Sequence, residues 1–165
     1  MKKLLRVILL SFAIAGLSSV LLTSSANAEE PIDPAVATTT GDYYLTVVCR
    51  SNDAGDRFDN TREKAEKRGW SYGDKPTKAM RKAARKASRA AARAARQIVR
   101  YTWPESVASD AQSVAETLYE NSAVYGGIAK GGGTWFFPSS NSAASRLRLT
   151  LGLGPNNTGH DGCSK

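Results

Sequence analysis

The stretch DKPTKAMRKAARKASRAAARAARQIVRYTW, residues 74–103, decides the fold. Asp74-Lys75-Pro76-Thr77 has the polar caps and early proline of a helix start, and the pattern behind it predicts a helix to about Thr102. A turn of about 100° per residue gathers Lys78, Lys82, Arg85, Arg89, Arg93, Arg96 and Arg100 into one narrow stripe, bordered by Lys75, Arg81 and Lys86. Met80, Ala84, Ala87, Ala91, Ala94 and Ile98 fall on the opposite side. Alanine is the strongest helix former, and an alanine face is nearly flat, so neighbouring helices can approach it closely.

Downstream, Trp103-Pro104-Glu105-Ser106 ends this helix and opens another, since proline suits a first turn and Glu105 complements the positive N-terminal end. Val107, Ala111, Val114, Ala115 and Leu118 form its apolar face, and Gly126-Gly127 is the expected stop. Gly131-Gly132-Gly133 reads as a hinge or turn. Trp135-Phe136-Phe137, with Phe58, Trp70 and Trp103, are the rings expected to fill a core that alanine faces supply poorly.

Two segments read both ways. Residues 146–153 alternate strictly, as a strand would, yet Ser142-Ala143-Ala144 opens a helix well and Gly152 or Gly154 before Pro155 closes one. Asp42 to Cys49 alternates too, while Asp42 also caps a short helix bearing Leu45, Val48 and Cys49. A further helix is expected from Asn52 or Asp53 to about Arg68, with Phe58 and Ala65 inward and Gly69 as its stop. The expected fold is all-α, a compact bundle of about four helices; the alternative is α+β, with 42–49 and 146–153 paired as a two-stranded sheet.

Met1 to Ala28 has the three parts of an export signal: Lys2, Lys3 and Arg6, an apolar run from Val7 to Leu22, and a small-residue ending Ala26-Asn27-Ala28. The run is about 16 residues and contains Ser11, Ser18 and Ser19, short of the roughly 20 a spanning helix needs, so cleavage before Glu29 is expected and no membrane span after it. The expected organisation is a signal peptide at 1–28, a disordered Pro/Ala/Thr-rich lead-in at 29–40, and one helical domain at 41–165. The expected location is secreted, extracellular or in the cell envelope. There the two cysteines, Cys49 and Cys163, meet an oxidising space and are expected to pair as a disulfide joining the chain ends. Neither a Cys-x-x-Cys pair nor a second histidine exists to build a redox or metal site.

Tyr44-Leu45, Val48-Cys49 and Asn52, together with the late Leu151-Gly152-Leu153 and Gly162-Cys163, resemble small exported actinobacterial proteins of unknown function. The resemblance implies a helical exported domain with a terminal disulfide, and it carries over no catalytic residue.

The remaining clue to function is charge. Of 23 basic residues, 20 lie beyond Ala28, against 15 acidic ones, a balance of +5. Residues 75–103 hold ten bases and no acid, whereas 29–74 hold ten acids and six bases. Seven aligned bases suit a row of phosphates or carboxylates. A solvated structural helix would normally intersperse acids four residues from its bases, and this one has none. Acids elsewhere (Asp53, Asp56, Asp59, Glu116 and Glu120) are the internal groups that would neutralise part of the stripe instead.

In an exported protein, an anionic envelope polymer or an acidic extracellular protein comes before nucleic acid as the partner. A membrane-disrupting toxin or antimicrobial factor fits less well, because the apolar side is alanine rather than Trp, Phe and Leu. No catalytic residue is assigned: His160 sits beside Asp161 in a Gly-rich tail, and no carboxylate spacing supports the alternative of a small envelope hydrolase. Gly131-Gly132-Gly133 lacks the Gly-Lys-Ser/Thr ending of a phosphate loop, and Asn156-Asn157-Thr158 reads as a turn rather than a glycosylation acceptor. No cofactor or metal is expected.

Overall fold

The computed structural model describes residues 33–133, 135–139, 141–154 and 162–163. The signal peptide, His160 and Asn156-Asn157-Thr158 lie outside the described residues. Four helices make up the fold, α1 (Pro34–Glu66), α2 (Lys78–Arg100), α3 (Glu105–Lys130) and α4 (Asn141–Thr150), with no strand among the described residues. The α+β alternative is thereby set aside. Residues 146–153 form the end of α4 and its stop rather than a strand: Leu153 N–H bonds the Arg148 carbonyl at 2.9 Å, and Gly152 turns the chain with φ of 70°.

The first helix departs most from expectation. It begins at Pro34, where Asp33 caps the Ala35 and Val36 amides, so residues 34–40 belong to it rather than to a structureless lead-in. It also runs unbroken through Ser51-Asn52-Asp53-Ala54-Gly55, where the residue preferences suggested a boundary. Packing overrides those preferences: Ser51 is buried, and the Tyr125 hydroxyl stands 3.1 Å from where a Cβ on Gly55 would be. The helix ends as expected near Gly69, whose φ of 93° lets Trp70 N–H return to the Ala65 carbonyl.

Thr77 caps α2 by accepting from Met80 N–H at 3.2 Å, and the Trp103 indole closes its far end by donating to the Ile98 carbonyl at 2.7 Å. The α3 helix does not stop at Gly126-Gly127 but passes through both to Gly131, whose φ of 99° ends it. Of the two, Gly127 serves packing, because a Cβ on it would meet Gly133 Cα at 3.3 Å.

The core has two clusters, one toward each end of the antiparallel α1, α2 and α3. One joins Tyr44, Val47 and Val48 to Ile98, Val107, Val114, Leu147 and Leu151. The other joins Phe58 and Trp70 to Met80, Ala84, Ala87 and Ile128, with Tyr125, Trp135 and Phe137 against it. Phe136 is the exception among the expected core rings, being 76% exposed because the extended 135–137 segment turns alternate side chains outward. Cys49 and Cys163 are bonded, with Cα atoms 5.7 Å apart, tying the end of the chain to α1. No helix among the described residues is long and apolar enough to cross a membrane.

Candidate functional site

The expected buried face of α2 is buried throughout: Met80, Ala84, Ala87, Ala91, Ala94 and Ile98, joined by Ala95. Its register therefore turns the basic stripe outward. Lys78, Lys82, Arg85, Arg89, Arg93, Arg96 and Arg100 are all exposed, and none makes an ion pair or side-chain hydrogen bond with a described residue. Of the five acids named above as neutralising groups, Asp59 bridges to Arg62 at 3.5 Å, and Glu116 accepts from Gln112 at 2.8 Å. Asp110 instead holds Arg146, away from the stripe.

The stripe spans 23 residues, or about 33 Å of helix axis, so successive cations stand roughly 5 to 6 Å apart. Like charges three or four residues apart cost a few tenths of a kcal/mol per pair, and α2 has no acid in its first turn to complement its N-terminal dipole. Alanine propensity offsets that repulsion. On one flank a groove of about 280 Å³ lies between α1 and α2, floored by Ala54, Ala79 and Ala83 and edged by Arg57, Lys82 and Lys86. Arg57 of α1 thus extends the cationic surface beyond one helix.

A second concavity opens on the other side of the bundle. This cleft, of about 360 Å³, lies between α1, α3 and α4 and meets α2 only at the buried Ala91. Asp56 and Asp59 line it from α1, Asn121 and Tyr125 from α3, and Arg148 from α4. Burial raises the Asp59 carboxyl above its usual range, opposed by Arg62 and reinforced by Asp56 and Glu63. The Tyr125 phenol is pushed up to about 12, first by burial and then by the negative charge of Asp59 and Asp56. Tyr44, at the opposite end, also rises to about 12 through burial, with Arg148 pulling the other way. Sequence spacing missed this cleft because its walls come from three helices whose relative placement no local pattern encodes; a hint was Asp56 and Asp59 three apart on one helical face.

Asp56 and Asp59 stand side by side on one wall, whereas glycosidase carboxylates flank the scissile bond from two sides. No group of three or more His, Cys, Asp or Glu among the described residues is placed to hold a metal ion. No protein-family model matches the chain, and comparison with curated proteins and with solved structures found no match.

Proposed function

We propose that this is an exported helical protein that docks onto an anionic polymer of the cell envelope through the outer face of α2. The observation that carries the reading is the exposure of seven aligned cations, none ion-paired to a carboxylate among the described residues. Such a face has a repulsive cost in the free protein and becomes favourable when a row of phosphates or carboxylates displaces its counterions. A spacing of roughly 5 to 6 Å per cation suits a linear polymer better than an isolated anion. The disulfide fits an oxidising compartment, the setting in which such bonds persist. An acidic extracellular protein is the other partner of the same chemistry, and the hydrolase and toxin readings draw no support from the face itself.

The test is binding of the processed chain to polyanions and isolated cell envelopes across a salt series, beside a variant with Arg85, Arg89, Arg93 and Arg96 changed to Gln. Salt-sensitive binding that the variant loses is the expected outcome. Absence of binding at low salt, or equal binding by the variant, would remove the stripe from the function.

A further inference from the structure

The groove of about 280 Å³ between α1 and α2 has an apolar floor and cationic edges. Ala54 comes from α1 and Ala79 and Ala83 from α2, and such small side chains on both helices keep the floor shallow. Arg57 stands on the α1 edge, and Lys82 and Lys86, one turn apart, stand on the α2 edge. Lys64, seven residues from Arg57, continues the α1 edge on nearly the same helical line, about 10 Å further along. Lys78 continues the other edge one turn before Lys82. These cations are exposed, and none is ion-paired to a carboxylate among the described residues. The acids nearest Arg57 in sequence, Asp53 and Asp56, line concavities on other sides of α1.

Two cationic edges with an apolar strip between them ask more of a ligand than the outer stripe does. The stripe alone satisfies any linear polyanion; the groove selects one that carries charge along both edges and an apolar surface between. A fatty acyl chain is a poor match, because alanine methyls on a shallow floor bury little apolar area. A chain of phosphates has no apolar surface to offer. A carboxylated sugar chain has both features: its ring C–H groups form flat apolar faces, and its carboxylates project from the ring edges, where Arg57 can grip one with two N–H donors. Thr61 adds a polar contact, since its hydroxyl donates to the Arg57 carbonyl at 2.7 Å and so remains an acceptor for a sugar O–H. At about 280 Å³ the groove is small for enclosing a whole ligand, which suits a short piece of a chain that runs past it. We propose that the groove seats an anionic polysaccharide, its ring faces on Ala54, Ala79 and Ala83 and its carboxylates between Arg57 and Lys64 on one edge and Lys78, Lys82 and Lys86 on the other. The inference rests on the docking reading of α2 given above and narrows its polymer to a carboxylated sugar chain.

The experiment titrates the processed chain, by calorimetry across a salt series, with oligogalacturonate, its methyl ester and a polyphosphate of matched charge. Oligogalacturonate is expected to bind, to lose at least tenfold on esterification, and to keep more of its affinity at high salt than the polyphosphate, because ring contacts are not screened. Ala79→Leu fills the groove without changing a charge; it should weaken oligogalacturonate at least fivefold and polyphosphate less than twofold. Arg57→Gln combined with Lys64→Gln, at two exposed positions, should act with the same selectivity. Both variants are checked for native circular dichroism and melting. The variant with four stripe arginines changed to Gln separates the two readings: if it loses both ligands while the groove variants lose neither, the docking face stands and the groove inference is overturned. Binding of polyphosphate without oligogalacturonate, undiminished binding of the ester, or equal weakening of both ligands by the groove variants also overturns the groove inference alone. Binding of neither ligand at low salt overturns both readings.

Discussion

Ser88 of α2 and Ser122 of α3 exchange hydrogen bonds between the two helices, each hydroxyl donating to the other's backbone carbonyl at 2.9 Å, with the two hydroxyl oxygens 3.3 Å apart. The clasp sits between the two aromatic clusters, where α2 presents Ala87 and Ala91 and little apolar area is available. Polar pairing here supplements weak hydrophobic burial. Changing both serines to Ala should cost about 1 to 2 kcal/mol, less than the sum of the single changes or more by a measurable coupling. Urea unfolding of the four members of the cycle checks this; strict additivity would show that the two hydroxyls act separately.

Neutralising the stripe should not harm the fold. With Arg85, Arg89, Arg93 and Arg96 exposed and unpaired among the described residues, their change to Gln removes like-charge contacts worth a few tenths of a kcal/mol each. The melting temperature is expected to hold or rise slightly at low salt, with the difference fading at high salt. On a flexible polyphosphate strand, the slope of log affinity against log salt should become shallower by roughly 3. A marked drop in melting temperature would mean that the arginines serve the fold.

The bond between Cys49 and Cys163 spans 114 residues of sequence, so it removes much of the freedom of the unfolded chain. On the chain-entropy account it contributes roughly 4 to 5 kcal/mol. Changing both cysteines to Ser, or adding a reductant, should lower the denaturation midpoint accordingly. An unchanged midpoint would place the stabilisation elsewhere.

Adjacent glycines of α3 should respond oppositely. A Cβ on Gly126 would meet Ser88 Oγ at 3.6 Å, an ordinary contact, so Gly126→Ala should stabilise by up to about 1 kcal/mol through helix propensity. On Gly127 it would meet Gly133 Cα at 3.3 Å, backbone that gives way poorly, so Gly127→Ala should gain nothing or lose about 1 kcal/mol. Thermal melts of the two variants decide it.

Alkaline pH should weaken the fold in a defined window. Burial raises Tyr44 from 10.0 to about 12, so the folded state favours the neutral phenol. Its contribution is complete below pH 10 and is lost as pH rises to about 12, amounting to roughly 2 to 3 kcal/mol. Tyr125 acts in the same direction. Denaturant midpoints followed through this range, beside Tyr44→Phe, should show a decline that the variant shares only in part; a flat profile would contradict the burial of the phenol.

Residues whose environment is set by their own helix were legible in advance. The period of Ala and Arg in 74–103 told which side of α2 is buried and which is open, and Val107, Ala111, Val114 and Ala115 did the same for α3. Residues whose conformation depends on a distant neighbour were not. Ser51 to Gly55 look like a boundary until Tyr125 packs on Gly55, and Gly126-Gly127 look like a stop until Ser88 and Gly133 are seen beside them.

The same division separates the two sites. A cationic stripe is a property of one helix, and its sequence alone determined it, because the side-chain period follows from the backbone turn. That no acid among the described residues pairs with the stripe was decided only by tertiary placement. The cleft, with Asp56 and Asp59 facing Asn121 and Tyr125, exists only because long-range packing brings α1, α3 and α4 around one space. Local periodicity reports which way a side chain points from its own axis; it carries no information on what stands opposite.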